Sequence, residues 1–180
     1  DGDRSRVVDK PHPDCDWVFA GEGVATIKLD GTSVLVRGAK RFKRRELRAG
    51  ERAPDDFEIA GEDDVTGKTV GWVPVSPDAP EDRWHREARG GDADGTFELI
   101  GPKVQGNPER WAWHELVRHG TVLPDAEPPR TFDGLRLWLA QQPIEGLVFH
   151  HPDGRMAKIK LRDFGLKRVA GAARPVDPDR

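Results

Sequence analysis

The chain has 180 residues, a net charge of −3 at pH 7, and many turn-forming residues, with 20 Gly and 15 Pro. This length is sufficient for one domain with a buried core, which we expect to be monomeric. No apolar run is long enough to cross a membrane and no signal-peptide pattern is visible, so we expect no membrane partner. The single cysteine, Cys15, excludes an internal disulfide framework and favours a cytoplasmic location.

Positive charge is concentrated in one segment although the total charge is negative. Eight of the sixteen residues from Arg37 to Arg52 are basic. In an acidic protein, nucleic acid can be bound only through such a local concentration of positive charge. The alternative interpretation is a solvated strand and loop with Glu46 and Glu51 as partial partners, and this segment alone favours that alternative.

In the N-terminal half the residue pattern predicts strands joined by turns. Residues 1–16 are polar and proline-containing, so we expect a poorly packed arm, followed by a short strand at 17–19. Alternating side chains over 24–37 predict a hairpin that turns at Lys28-Leu29-Asp30-Gly31 and places the lysine at its rim. A further strand is predicted at 41–47.

Two loops and one strand are predicted in the middle of the chain. The acidic segment 52–69 is interpreted as a solvated loop, with a metal site at its paired carboxylates as the less favoured alternative. Val70–Val75 predicts a strand that Pro74 keeps near a sheet edge. The segment 76–95 predicts a long surface loop, in which Trp84-His85-Arg86-Glu87 is the cluster with recognition potential.

The C-terminal half predicts one helix among strands. The predicted elements are strands at 96–100 and 113–118, a helix capped by Thr131 that runs through Gln142, and a hairpin of 144–150 with 155–161. Phe132, Leu135 and Leu139 are predicted to face inward from the helix. The tail 167–180 is predicted to be disordered.

The second strand of the last hairpin places two lysines side by side. Because side chains alternate along a strand, Ala157, Ile159 and Leu161 face one way, and Lys158 and Lys160 face the other. Two like charges on one face repel each other. We therefore expect an anionic ligand at this pair.

These residues complement one another chemically. A lysine such as Lys28 attacks only as the neutral amine, whereas an ammonium with the ordinary pKa of about 10.4 is protonated at neutral pH. Neighbouring positive charge, for which Lys158 and Lys160 are candidates, or a divalent metal activates such a lysine. If the electrophile is the α-phosphorus of ATP, the same ammonium groups also neutralise phosphate charge, while magnesium and Glu145 hold the in-line geometry. Glu98 is then a candidate acceptor for ribose hydroxyl groups.

Four sequence elements together carry a resemblance to a known group of enzymes. They are Lys28-Leu29-Asp30-Gly31, Phe97-Glu98-Leu99-Ile100-Gly101-Pro102-Lys103, Glu145-Gly146-Leu147-Val148 and Lys158-Ile159-Lys160. In this order they resemble the signature elements of covalent nucleotidyltransferases, the superfamily of polynucleotide ligases and mRNA capping enzymes. The longer phrases, including His150-His151-Pro152-Asp153-Gly154, resemble most closely the small ATP-dependent 5′-3′ RNA ligases of the human type.

This resemblance implies a three-step reaction used in RNA repair. Lys28 attacks ATP and becomes lysyl-AMP, the adenylate passes to an RNA 5′-phosphate, and an RNA 3′-hydroxyl then displaces AMP. By the same resemblance, Glu98 contacts ribose and Glu145 orients magnesium, or manganese in its place, through water. Lys158 and Lys160 contact the α-phosphate.

The resemblance also implies a set of nucleotide contacts. The backbone of Ile27 reads adenine, and Asp30 and Gly31 belong to the nucleotide-binding motif. Arg44 resembles an arginine that holds ribose or the RNA phosphate, with its neighbour Arg45 left open as the alternative. His114 is either an adenine-stacking residue or a histidine packed against the sheet.

Two departures from the superfamily pattern are visible. DNA ligases and capping enzymes commonly place arginine where this chain has Ser33, which favours the RNA-ligase branch. The segment after the lysine pair is too short for the OB-fold domain that many relatives carry there. The resemblance therefore leaves pyrophosphate orientation to the stretch 37–52 or to the loop at 84–86.

Together these observations predict an α+β ligase-type nucleotidyltransferase domain over residues 17–166, with mostly antiparallel twisted sheets around a nucleotide pocket and no C-terminal OB domain. The predicted function is ATP-dependent joining of RNA 5′-phosphate and 3′-hydroxyl ends. The alternatives are a related transferase that acts on DNA ends or cap guanylate, and a non-catalytic RNA-binding module.

Overall fold

A computed structural model describes residues 6–63 and 67–168. Within these residues the chain forms two compact units. Unit 1 contains residues 6–30, 108–110 and 120–168, and unit 2 contains the described parts of 31–107 and 111–119. The predicted domain, 17–166, therefore takes in parts of both units, and most of the predicted tail lies outside the described residues.

The described residues form strands with few helices. The strands are β1 (Val24–Lys28), β2 (Thr32–Arg37), β3 (Lys40–Leu47), β4 (Glu58–Asp63), β5 (Lys68–Pro74), β6 (Gly95–Ile100), β7 (Glu115–Arg118), β8 (Gly146–His150) and β9 (Met156–Lys160). The α-helices are α1 (Asp16–Phe19), α2 (Arg83–Glu87) and α3 (Phe132–Ala140). Short 3₁₀ turns cover Pro13–Cys15, Pro80–Asp82 and Leu161–Phe164. The prediction of a strand-rich α+β chain is confirmed, and every described strand pair is antiparallel.

Unit 1 is built on a three-stranded sheet in the order β1-β8-β9. Ala25, Leu147 and Phe149 lie on one face of this sheet and are almost fully buried. They share a core with Leu135 and Leu139 of α3. Because strand side chains alternate, the opposite face carries Lys28, and this face is the one that concerns the site.

Helix α3 begins where the sequence predicts it. The side chain of Thr131 accepts a hydrogen bond from the amide of Gly134 and so caps the first turn. Leu135 and Leu139 face the core, as their spacing predicts. The helix ends at Ala140, with Gln141 as its C-cap, slightly before the predicted end.

Unit 2 is built on a six-stranded sheet in the order β4-β5-β3-β2-β6-β7. Its buried core is formed by Val34, Val36, Phe97, Leu99 and Leu116 with two flanking residues, Ala88 and Val104. The long strand β3 contains the central part of the basic stretch 37–52. Charged side chains along β3 are tolerated because strand pairing satisfies their backbone groups whichever way the side chains point.

The predicted hairpin over 24–37 is wrong, because β1 and β2 belong to different sheets. β1 pairs with β8, whereas β2 pairs with β3 and β6. Gly31 has no positive φ, so it does not serve as the usual glycine of a tight hairpin turn. Glycine is required at position 31 because the backbone there lies very close to the backbone of Leu99. A Cβ at this position would lie 2.2 Å from the carbonyl oxygen of Leu99.

Three further predicted elements differ from the structure. Residues 17–19 belong to α1 rather than to a strand, since Trp17 and Val18 are both buried, which strand alternation does not allow for a surface strand. Part of the predicted acidic loop is β4, which pairs with β5. β5 is therefore an inner strand, and Pro74 is accommodated at its end.

Replacing Gly31 tests this account of the link between β1 and β2. Gly31→Ala is expected to lower the free energy of unfolding by about 2 kcal/mol or more, because the new methyl group overlaps a backbone carbonyl. Gly61→Ala is the matched control, since its Cβ would meet only the Val70 side chain at 3.7 Å. The control is expected to change stability by less than about 1 kcal/mol. Equal effects in denaturant titrations would contradict the account.

Candidate active site

One carboxylate in unit 1 is shared by two lysines. Nζ of Lys28 donates to Oε2 of Glu145 at 2.5 Å, and Nζ of Lys160 lies 3.5 Å from Oε1 of the same carboxylate. The three side chains are largely buried, with exposed fractions of 23% for Lys28, 14% for Glu145 and 15% for Lys160. Residues far apart in the sequence thus form a compact cluster, which we call the Lys–Glu–Lys cluster.

The strand register explains how this cluster forms. Lys28 of β1 lies opposite Gly146 of β8, and Gly146 lies opposite Lys160 of β9. The central residue of the row has no side chain, so the two lysines flank an open position with Glu145 just before it. A Cβ on Gly146 would lie 2.1 Å from the Ile159 carbonyl oxygen, so only glycine fits here.

The predicted lysine pair is divided between two rows of the sheet. Lys158 and Lys160 face the same side of β9, as alternation predicts. Lys158 lies opposite Val148, one row from Gly146, and is exposed, whereas Lys160 is largely buried. The structure therefore places Lys160 on Glu145 and Lys158 at the neighbouring, more solvated position.

Two other predicted residues flank Lys28 in unit 1. The amide of Ile27 donates to the carbonyl of Val122 at 2.8 Å, so this amide is already satisfied within the protein. The carboxylate of Asp30 accepts a hydrogen bond from Nη2 of Arg168 at 3.2 Å. Arg168 lies within the predicted disordered tail, yet its side chain is only 17% exposed.

In unit 2, Glu98 is the centre of a second polar cluster. It accepts hydrogen bonds from the amide of Gly31 at 3.1 Å and from the hydroxyl group of Ser33 at 3.4 Å. Nε2 of His119 lies 2.8 Å from its Oε2. Ser33 thus acts as a partner of the glutamate. These contacts fasten the start of β2 to β6 and fix the orientation of the carboxylate.

The register also separates the two candidate arginines. Ser33 pairs with Glu98, and Val34 pairs with Lys43, so Arg44 comes onto the same face of the sheet as Glu98. Arg45 faces the other way and makes a salt bridge to Glu51 at 2.8 Å. Of these two residues, Arg44 is therefore the one on the face of the predicted ribose contact.

His114 is engaged within unit 2. Its ring stacks on Trp84 with the centroids 4.4 Å apart, and its Nε2 accepts a hydrogen bond from the amide of Lys103. Burial lowers the pKa of His114 below its usual range. The packed-histidine interpretation accounts for these contacts without a bound nucleotide.

The loop predicted to carry recognition is also used internally. Trp84 is stacked as described, and Nη1 of Arg86 donates to the carbonyls of Ser76 and Ala79. Both ring nitrogens of His85 are buried and have no hydrogen-bond partner among the described residues. This segment, which contains α2, therefore has a structural role of its own.

Five of the eight basic residues of the stretch are paired within the protein, one of them, Arg52, through an exposed salt bridge to Asp55. Arg37 makes two hydrogen bonds to Glu58, and Lys43 contacts the buried Asp82 at 2.5 Å. The guanidinium of Arg41 donates to four backbone carbonyls, those of His85, Arg86, Ala88 and Gly90. With Arg45 also paired, Arg44 is the exposed arginine of β3 that makes no side-chain hydrogen bond or salt bridge to another described residue.

Sequence reasoning missed two members of these clusters. His119 follows β7 and no motif marks it, although its position next to a predicted strand that pairs with β6 is the signal that could have found it. Arg168 was assigned to the tail on composition alone. Neither contact can be derived without the register or the fold of the chain after β9.

The donor groups of the Lys–Glu–Lys cluster determine whether it can hold magnesium and ATP. Mg²⁺ usually keeps several waters and takes one or two carboxylates together with substrate phosphates. A single carboxylate, Glu145, lies in the Lys–Glu–Lys cluster, and the described residues contain no group of three or more His, Cys, Asp or Glu arranged for a metal. The cluster therefore fits a magnesium ion held through water beside a phosphate, and two ammonium groups fit the phosphate itself.

The fold and the cluster define a class of protein: a strand-rich α+β chain with a lysine at the end of one strand, a carboxylate beside it and a second lysine across a glycine. Among the described residues, no helix is both long and apolar enough to span a bilayer.

Comparisons with known proteins find similarity to RNA ligase 1 proteins. A sequence model of the family RNA ligase 1 matches residues 91–174, a region that contains Glu98, Glu145, Lys158 and Lys160 but not Lys28. RNA ligase 1 of Danio rerio is 28% identical over 139 residues, which covers 58% of this chain and 43% of that protein. RNA ligase 1 of Rattus norvegicus is 24% identical over 159 residues, covering 69% of this chain and 46% of that protein.

The resemblance to RNA ligase 1 proteins is therefore found both by motif and by comparison. The chain spans less than half the length of either relative.

His85 of α2, a half-buried residue whose ring nitrogens are buried, makes stability depend on pH. Burial lowers the pKa of His85, Lys43 and Arg41 act in the same direction, and Asp82 opposes them. Below about pH 6.5 the unfolded chain therefore binds a proton that the folded chain resists, so the free energy of unfolding falls as the pH falls. His85→Phe is expected to flatten this dependence between pH 7 and pH 5 in denaturant titrations.

Part of the slope will remain in this variant, because the pKa of His114 is lowered as well. A slope identical to that of the wild type would show that His85 has the same pKa in the folded and unfolded chains, which contradicts the account.

Proposed function

We propose that this chain is the adenylating part of an ATP-dependent RNA ligase, in which Lys28 carries AMP as a covalent intermediate. The observation that supports the proposal most directly is the Lys–Glu–Lys cluster, with Lys28 and Lys160 on one carboxylate. A purely structural role would need one cation for one carboxylate. The second ammonium group leaves positive charge available for an anionic substrate.

The first step of the proposed reaction is attack of Nζ of Lys28 on the α-phosphorus of ATP. A nitrogen–phosphorus bond forms, the bond from the α-phosphorus to the bridging oxygen breaks, and pyrophosphate leaves with that electron pair. The amine must lose a proton in this step, and Oε2 of Glu145, at 2.5 Å, is in position to accept it.

Lys160 has a separate proposed role. Its ammonium group would neutralise the charge that develops on the α-phosphate oxygens, which is the usual contribution of a fixed cation in phosphoryl and nucleotidyl transfer. Magnesium, held by Glu145 through water, would supply further positive charge against the phosphates. Lys158 would contact phosphate from its more exposed position.

Glu98 remains the proposed contact to the ribose hydroxyls. Its carboxylate is oriented by Gly31, Ser33 and His119, and a carboxylate fixed in this way is suited to accept from a hydroxyl group. The later steps, transfer of AMP to an RNA 5′-phosphate and its displacement by a 3′-hydroxyl, follow from the resemblance to RNA ligases. They are part of the proposal.

The alternatives predict other results. A transferase for cap guanylate would take GTP in place of ATP, and a DNA ligase would seal nicked DNA in preference to RNA. A non-catalytic RNA-binding module would carry no covalent nucleotide. Its main surface would be the basic stretch, five of whose eight basic residues are already paired within the protein.

Replacement of the nucleophile is the first test. Incubation with ATP labelled in the α-phosphate, together with magnesium, is expected to label the wild-type protein. Lys28→Ala and Lys28→Arg are both expected to abolish the label, and arginine is the more informative change because it keeps a cation for Glu145 but cannot become a neutral nucleophile.

Lys68→Ala is the matched control, since Lys68 makes an exposed ion pair with Glu46 in unit 2. It is expected to retain full labelling. Persistent labelling of Lys28→Arg would show that another residue carries AMP, and a wild-type protein that is never labelled across pH and metal conditions would contradict the proposal.

The two lysines of β9 are expected to differ in their effect. Lys160→Ala should slow formation of lysyl-AMP by about 10²-fold or more, the usual cost of losing one fixed group that stabilises transition-state charge. Lys158→Ala should slow it less, because Lys158 is exposed and lies one row away from Gly146. The measurement is the single-turnover rate of labelling. A larger loss for Lys158→Ala would show that the row of Lys28, Gly146 and Lys160 is not the reacting one.

A further inference from the structure

One face of the six-stranded sheet of unit 2 carries an aromatic residue and a cation in a single row. Glu58 pairs with Trp72, and Trp72 pairs with Arg44. Ser33 and Glu98 come next in the register, so Trp72 and Arg44 continue the row of the predicted ribose contact. Neighbouring strands lie about 4.8 Å apart, so the indole and the guanidinium are carried on adjacent strands of this face.

Trp72 differs from the other tryptophans whose contacts are defined. Trp17 and Trp138 belong to the core of unit 1, Trp84 stacks on His114, and Arg89 lies over the ring of Trp113. Trp72 is half-buried, and its side chain has no ring contact, cation contact or hydrogen bond with another described residue. A large aromatic side chain on a sheet face without such partners is a candidate for ligand stacking.

The charges around Trp72 favour an anion. Glu58, the acidic residue next to Trp72 in the row, accepts two hydrogen bonds from Arg37, which neutralises its charge. Arg44 is exposed and makes no side-chain hydrogen bond or salt bridge among the described residues. Phe42, on the same face in the next row, lies under the guanidinium of Arg37 at 5.1 Å. The surface formed by Trp72 and Arg44 therefore combines an aromatic ring and a cation that can both contact a ligand.

We propose that Trp72 and Arg44 bind one nucleotide of single-stranded RNA, with the base stacked on the indole and a phosphate paired with the guanidinium. This inference rests on the proposed function for the choice of RNA. Stacking suits an unpaired base, because in a duplex both faces of a base are already covered. A free base and its phosphate need a ring and a cation next to each other, which is the arrangement in this row.

The test measures RNA binding without ATP. The probe is a short single-stranded oligouridylate with a 5′-phosphate and a fluorescent label at its 3′ end, followed by anisotropy. Trp72→Leu is expected to weaken binding by about 5- to 100-fold, the range for loss of one base-stacking contact. Trp72→Phe should retain most of the affinity because it keeps a π face of its own. If the leucine variant fails to fold, Trp72→Met replaces it.

Two matched controls lie on the opposite face of the same sheet. Ile59→Ala removes an apolar side chain that is 61% exposed on the adjoining strand, and it should leave affinity unchanged. Arg44→Ala should weaken binding and reduce the slope of log affinity against log salt by about 0.7, whereas Arg45→Ala should leave this slope unchanged. For a duplex of the same length, Trp72→Leu should have no effect.

Three results would overturn the inference: unchanged affinity in Trp72→Leu, an equal loss in Ile59→Ala, or displacement of the RNA by ATP in the wild type but not in Trp72→Leu. The last result would assign the indole to the nucleotide instead. Apart from that competition, the binding assay contains no ATP, so its result does not depend on adenylation of Lys28. Failure of Lys28 to become adenylated would refute the proposed function but would not contradict RNA binding at Trp72 and Arg44.

Discussion

The carboxylate of Glu145 lies between two ammonium groups, and the local architecture of unit 1 makes this possible. Lys28 and Lys160 come from the outer strands of a three-stranded sheet, and Gly146 occupies the position between them. Any side chain at that position would overlap the backbone of the next strand. The glycine thus brings the strands together and leaves room above them for the charged groups.

This arrangement has a chemical consequence. A carboxylate that is largely buried with two cations is held in place by them, since removing either partner leaves charge without full compensation. Only a neutral amine attacks phosphorus, so the proposed mechanism requires a proton to leave Nζ of Lys28, and Oε2 of Glu145 is in position to accept it. A nearby phosphate and its cation give Glu145 and Lys160 alternative partners.

The sequence was sufficient for most strands, for α3 and for the residues that form the Lys–Glu–Lys cluster. It failed where chain neighbours are not spatial neighbours. Lys-Leu-Asp-Gly has the composition of a hairpin turn, yet Gly31 is needed for close approach to Leu99, and the strands on either side enter different sheets. The sequence did not predict β4, because its acidic residues are as typical of a solvated loop as of an outer strand.

The same limitation explains what was missed at the candidate site. Alternation placed Lys158 and Lys160 on one face, but only the register with β8 shows that Lys160 shares the row of Gly146. His119 and Arg168 reach Glu98 and Asp30 from segments that carry no motif. Tertiary contacts of this kind depend on strand order, which residue patterns along one chain do not determine.

The central claim is that the amine of Lys28 takes a nucleotidyl group from ATP. The most direct measurement is peptide mapping by tandem mass spectrometry after incubation of the unmodified protein with ATP and magnesium. The account predicts AMP on the lysine of the peptide that contains Lys28-Leu29-Asp30-Gly31. AMP attached to Lys158, Lys160 or any other residue, with Lys28 unmodified, would contradict it.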